Sequence, residues 1–275
     1  MQDPQLEPQS PAPAGEFLPS PIESRRLLGM RVDATRYAET ADAIALMARK
    51  GAGGFIAVAS VHNAVQALDD PEFRRVMNSA DRVTPDGMPI VWALRWLGAS
   101  DAQRVYGPSL TGVVCARAQA QEIPVAFLGG EPAVLDDLVH RLHARYPRLH
   151  IAFAHSPPFR ALSESEEGEL LAEIEGSGAR ILFVGLGCPK QERWMAAHRD
   201  SLSCVMVGVG AAFDFLAGHK RQAPDWLQRH GLEWLFRLVC EPRRLWRRYL
   251  LGNPRFVYHF ARERLAAVFG LGGRP

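Results

Sequence analysis

Short apolar runs recur along the chain, separated by stretches in which apolar residues return every three or four positions. The runs at 27–32, 54–59, 82–84, 124–128, 150–154, 181–184 and 205–209 predict strands. The stretches at 40–50, 64–69, 86–96, 132–146, 163–176 and 189–198 carry helical periodicity. Strand and helix alternate, which is the order of an α/β fold with a Rossmann-like, mostly parallel sheet flanked by helices. Ligands of such folds sit at the carboxyl ends of the strands, so the loops that follow these runs are where chemistry is sought.

The flanks break this pattern. Residues 1–24 hold Pro4, Pro8, Pro11, Pro13, Pro19 and Pro21 with little to bury and read as disordered; no positive start precedes an apolar stretch, so a secretory signal is not expected. Residues 25–236 are expected to form the α/β domain that carries the chemistry. Residues 237–275 form a basic, amphipathic helical appendage: Arg237, Arg243, Arg244, Arg247, Arg248, Arg255, Arg262 and Arg264 stand against only Glu241 and Glu263, interleaved with Leu238, Leu245, Trp246, Tyr249, Leu250, Phe256, Tyr258 and Phe260. Such a helix suits the surface of an anionic membrane, and Arg243, Arg244, Arg247 and Arg248 have the spacing to share one face.

Composition narrows the classes. The formal charge is only +2 over 275 residues, so the basic tail is a local device and a nucleic-acid partner is not expected. Cys115, Cys188, Cys204 and Cys240 show no zinc or disulfide spacing, which points to a reducing cytoplasm. The longest apolar runs, 181–187 and 205–213, fall short of the roughly 18 residues that span a bilayer. The expected location is therefore cytoplasmic, peripheral to the inner face of the cell membrane; self-association into a homo-oligomer stays open.

Seven segments then occur in a fixed order: Thr84-Pro85-Asp86-Gly87-Met88, Arg104-Val105-Tyr106-Gly107, Leu128-Gly129-Gly130, Val184-Gly185-Leu186-Gly187-Cys188-Pro189-Lys190-Gln191-Glu192, the small-residue turn at 208–218, Arg221-Gln222-Ala223-Pro224-Asp225-Trp226, and the run 231–237. Together they resemble bacterial glycosyltransferase family 26, which includes teichoic-acid N-acetylmannosaminyltransferases, enterobacterial-antigen N-acetylmannosaminuronic acid transferases and exopolysaccharide glucosyltransferases. The resemblance covers about 27–254. It implies inverting transfer from a UDP-sugar donor substrate, with no separate cofactor, to a polyprenyl-diphosphate-linked sugar acceptor at the membrane.

An inverting transfer needs a base for the acceptor hydroxyl and stabilisation of the departing diphosphate. Spacing alone makes Asp86 a helix cap, whereas the resemblance makes it the base. Asn63, by residue type a turn or cap residue, matches a cleft-lining asparagine of the family. Arg104 is the expected diphosphate cation; Ser109 stands where the family motif carries an aspartate, so no carboxylate role falls there. Gln191, on a loop able to present amides to the donor, completes the catalytic set.

Donor contacts are expected from Gly87, Gly107, Gly129, Gly185, Gly187, Asp214 and Arg237. For Asp214 two partners stay open, the uracil or ribose and Arg221. Gly185-Leu186-Gly187 also superficially suggests a dinucleotide site, but Lys190 replaces the third glycine. No Asp-x-Asp triplet occurs, so a metal-independent reaction is expected and no metal ligands are assigned. His62 and His155 read better as structural than as catalytic histidines. The alternative to an enzyme is a noncatalytic peripheral membrane scaffold.

Overall fold

The computed structural model describes residues 22–269. Residues 1–21 of the proline-rich segment, and the end of the appendage beyond 269, lie outside the described residues.

The described residues open with an antiparallel hairpin, β1 (Ser24–Leu27) and β2 (Met30–Asp33), in place of the single strand expected at 27–32. Leu28 and Gly29 form a two-residue turn with φ of 53° and 80°. A left-handed leucine is unusual, and no Asn-Gly or Asp-Gly signals the turn. Burial of the Leu28 side chain, only 6% exposed, accompanies this conformation.

The sheet begins after α1 (Tyr37–Lys50). β3 (Phe55–Ala59) leads through α2 (Val61–Asp69) and α3 (Pro71–Ser79) to β4 (Arg82–Pro85). Next come α4 (Met88–Trp96), α5 (Gly107–Ala120), β5 (Val125–Gly129), α6 (Pro132–Arg145), β6 (Ile151–His155), α7 (Glu164–Gly176), β7 (Ile181–Gly185), α8 (Lys190–Ala197) and β8 (Val205–Gly208). Six strands in the order β4-β3-β8-β7-β5-β6 pair in parallel throughout, as the alternation of runs predicts. Helices α3 and α5 were not among the expected stretches; α5 has almost no one-sided apolar pattern because its buried positions, including Gly107, Pro108, Leu110 and Gly112, spread around much of its circumference.

Alternation along β3 divides the core between the two faces of the sheet. Phe55 and Ala57 face a cluster with Phe73, Met77 and Leu94, whereas Ile56 and Val58 face one with Ile44, Phe127, Phe183 and Phe213. Phe127 stacks on Phe183 with centroids 5.1 Å apart, and Phe213 meets Phe127 edge-on at 5.7 Å.

Short helices then carry the chain across the carboxyl end of the sheet: α9 (Ala212–Leu216), α10 (Asp225–Arg229), α11 (Glu233–Cys240) and α12 (Pro242–Trp246). A π turn at Arg247–Leu251 runs into α13 (Gly252–Val268). The boundary drawn at 236/237 falls inside α11. The appendage packs onto the rest of the chain: Phe256 joins the core, Arg255 makes a two-pronged ion pair with Asp69 at 2.7 and 2.9 Å, and Glu263 accepts from the Leu28 amide at 3.2 Å. Among the described residues no helix is long and apolar enough to cross a membrane.

Candidate active site

A cleft of about 620 Å³, counting its mouth open to solvent, lies where β3 and β4 end. The segments after these strands supply Ser60, Val61 and His62 on one side and Asp86, Gly87 and Met88 on the other. Arg104 enters from the segment before α5, and Glu233, Trp234, Arg237, Arg248, Tyr249 and Asn253 close the cleft from the C-terminal helices.

Asp86 does not cap α4. The helix starts at Met88 with Gly87 at its N-cap and no side-chain cap bond, so the capping alternative is set aside. Its carboxylate keeps 24% of the side-chain surface open and stands 3.5 Å from Arg104 Nη2. Desolvation raises its pKa above the ordinary value; the Arg104 guanidinium opposes that rise and the nearby Glu233 charge reinforces it. Asp86 is therefore a stronger base than an exposed aspartate.

Arg104 is held on several sides. Its Nε donates to the Asp86 carbonyl at 2.6 Å, Nη1 to Gln228 Oε1 at 3.4 Å, and Nη2 to Glu233 Oε2, while the guanidinium lies 4.2 Å from the Tyr106 ring centroid. Arg237 faces Phe215 at 5.3 Å and reaches Glu233 Oε1 at 4.0 Å; its Nε is buried with no partner among the described residues. Arg248 sets Nη2 3.4 Å from Ser60 Oγ. Burial, together with the Arg248 charge, lowers the His62 pKa to about 4, so this imidazole is neutral at physiological pH.

Asn63 and Gln191 sit just behind the cleft wall. Asn63 Oδ1 accepts from the Ser60 amide at 3.1 Å and hydroxyl at 2.7 Å, which makes it part of the α2 capping box. Its Nδ2 donates to Glu192 Oε1 at 3.1 Å, and Gln191 Nε2 donates to the same oxygen at 2.9 Å. Gln191 Oε1 in turn accepts from the Gly210 amide at 3.0 Å, tying the loop after β7 to the loop after β8. Burial raises the pKa of the Glu192 carboxyl.

Of the remaining sequence-predicted residues, Gly87 lines the cleft and Gly107 packs its bare Cα against Val209, where an added Cβ would stand 3.0 Å from the Val209 oxygen. Gly129 and Gly185 are paired in adjacent strands, and a Cβ on Gly185 would collide with Phe213 at 2.7 Å, so their lack of side chain serves packing. Gly187 and Asp214 lie outside the cleft lining. Asp214 pairs with Lys220 at 3.1 Å, not with Arg221. The four tail arginines do not share one face: Arg243, Arg244 and Arg247 are exposed, whereas Arg248 points into the cleft. Arg244 pairs with Glu241 at 2.6 Å. His155, at the far edge of the sheet, stacks on Phe153 with centroids 5.9 Å apart. Among the described residues no cluster of three or more metal-ligating side chains occurs.

Among the charged and titratable cleft residues, Glu233 was given no role by the sequence, Arg248 was placed on the membrane-facing tail, and His62 was read as structural. Glu233 falls within the 231–237 segment, so position was available as a signal and role was not.

Sequence comparison decides the class. The Glycosyl transferase WecG/TagA/CpsF family matches residues 25–268, nearly the whole described chain. The chain belongs to this family. It is 30% identical over 206 residues to the N-acetylglucosaminyldiphosphoundecaprenol N-acetyl-beta-D-mannosaminyltransferase of Bacillus spizizenii, an alignment covering 74% of this chain and 77% of that one. The protein is a glycosyltransferase, and the scaffold and dinucleotide alternatives are set aside.

Proposed function

We propose that this glycosyltransferase moves a hexose or N-acetylhexosamine-type sugar, with inversion, from a UDP-sugar to a polyprenyl-diphosphate-linked saccharide in bacterial surface polysaccharide biosynthesis. The observation that carries this reading is Asp86 sharing a cleft with three guanidinium groups, those of Arg104, Arg237 and Arg248, where the second carboxylate, Glu233, is engaged by Arg104 and Arg237. Asp86 takes the proton of the acceptor hydroxyl, the hydroxyl oxygen bonds to the anomeric carbon, and the bond from that carbon to the β-phosphate oxygen breaks. The charge that develops on UDP is met by the arginines. The buried, unpartnered Nε of Arg237 supports an anionic occupant, because a buried donor without an acceptor is unfavourable. Asn63, Gln191 and Glu192 then act as positioning residues that join the loops around the donor.

The acceptor class rests on the Bacillus relative, which is named for transfer to N-acetylglucosaminyldiphosphoundecaprenol. Exposed Arg243 and Arg247, near Trp246, Leu250 and Leu251, support docking to an anionic membrane surface. Catalysis without a metal is part of the proposal, since the guanidinium groups of Arg104, Arg237 and Arg248 outnumber the carboxylates of Asp86 and Glu233 in the cleft and can meet the diphosphate charge. The test is a panel of UDP-sugars against a synthetic polyprenyl-diphosphate sugar, with and without EDTA. Transfer from one UDP-sugar that EDTA leaves intact is expected; transfer only from donors other than UDP-sugars, or only with added magnesium or manganese, overturns it.

A further inference from the structure

Helix α4 leaves the cleft with a solvent side dominated by two indoles. Its exposed positions are Trp92, Arg95 and Trp96, with the two indoles 49% and 77% exposed, and Met88, one turn before Trp92, lines the cleft. On α6, by contrast, the exposed positions include Asp136, Asp137, His140, Arg141, His143 and Arg145. Met88, Trp92 and Trp96 are four residues apart and so form one stripe on the helix, about 12 Å long.

The stripe has walls. A Cβ on Gly231 would stand 2.7 Å from the Trp92 ring, so the turn before α11 closes directly over that indole. At the outer end Trp96 meets Phe260 of α13 edge-on, with centroids 6.5 Å apart, and Phe260 stacks on Phe256 at 6.0 Å. The same helix α13 sends Asn253 into the cleft. An apolar track therefore starts among the arginines of the cleft and runs outward between α4 and α13.

We propose that this track holds the first part of the isoprenoid chain of the lipid-linked acceptor. The argument rests on the reading of the cleft given above. A polyprenyl diphosphate joins a doubly charged head directly to an apolar chain, and the cleft joins Arg104, Arg237 and Arg248 directly to Met88, Trp92 and Trp96. Continuity of charge and apolar surface in that order matches the ligand, and it accounts for two exposed indoles in a position where polar residues would otherwise be expected. The track also sets direction. It would bring the diphosphate to the arginines with the saccharide toward Asp86 and the remaining chain toward the membrane.

The test compares two acceptors in detergent micelles, one diphosphosugar on a long polyprenyl chain and the same diphosphosugar on a short alkyl chain, with Trp92→Gln/Trp96→Gln and, as control, Phe159→Ser. Phe159 is 87% exposed in the loop after β6, at the opposite edge of the sheet. The parent enzyme is expected to prefer the long acceptor. The double variant should lose about tenfold of that preference through KM, while the control keeps it and UDP binding is unchanged in both. Equal loss on both acceptors, an unchanged preference, or a defect confined to vesicle binding overturns the track. Parent enzyme that uses the short acceptor as well as the long one also overturns the track and leaves the function intact, whereas transfer to neither acceptor overturns the function reading and the track with it.

Discussion

Arg104 is tied more closely to the carboxylate of Glu233 than to that of Asp86: its Nη2 donates to Glu233 Oε2 but stands 3.5 Å from Asp86 Oδ1. Glu233 thus keeps the guanidinium from pairing tightly with the base, and its own charge helps raise the Asp86 pKa.

The pH dependence of transfer follows from that arrangement. Asp86 must be deprotonated to act, and its pKa lies above the ordinary value of about 3.9, so the acid limb of kcat/KM should lie above that value. Glu233→Gln removes a neighbouring negative charge and should move the limb to lower pH. Arg104→Met removes the opposing cation, so it should move the limb to higher pH while kcat falls. Limbs that stay fixed in both variants would show that another group titrates.

The tail arginines should divide into two functional sets. Arg243 and Arg247 are exposed and make no ion pair among the described residues, so Arg243→Glu/Arg247→Glu should weaken binding to anionic vesicles at low salt by about tenfold or more, at about 1 kcal/mol for each basic residue. Arg248 points into the cleft, so Arg248→Ala should leave most vesicle binding in place and lower transfer to a micellar acceptor. Co-sedimentation and transfer assays on both variants separate the two. Truncation after Arg237 is less informative, because it would strip Phe256 from the core.

Stability should carry the signature of Glu192. This carboxyl is fully enclosed, its Oε2 has no partner among the described residues, and burial raises its pKa. A carboxyl with a folded pKa above its unfolded value contributes stability that is fully present below the unfolded pKa, about 4.3, and lost as pH rises through the folded pKa. Glu192→Gln removes that dependence. The melting temperature of the variant relative to the parent should therefore rise between pH 4 and pH 8, and a difference independent of pH would contradict a raised pKa. Glu192→Ala, which also releases Asn63 and Gln191, should destabilise by about 1–3 kcal/mol.

Much of the fold was legible because the strands of a covered parallel sheet are continuous apolar runs, as 181–184 and 205–209 show. The hairpin at 24–33 was not, since its turn joins a left-handed Leu28 to Gly29, and Leu-Gly is not one of the dipeptides that announce a hairpin. Asp86 and Arg104 could be singled out because each lies in a short ordered segment beside a strand or loop. Arg248 could not be told from Arg244 or Arg247: the split depends on which way the π turn faces the helices, and composition is silent on that. The glycines at 129 and 185 were expected to contact the donor; in the fold their bare Cα atoms make room for each other and for Phe213, a packing role that only the strand pairing reveals.

The most direct measurement is transfer by Asp86→Asn from UDP-sugar to a polyprenyl-diphosphate sugar, paired with calorimetric UDP binding. The substitution keeps size and removes the base, so binding of UDP should match the parent while turnover falls by about 100-fold or more. Turnover near that of the parent, with the variant folded and binding UDP, would contradict the assignment of Asp86 as the base.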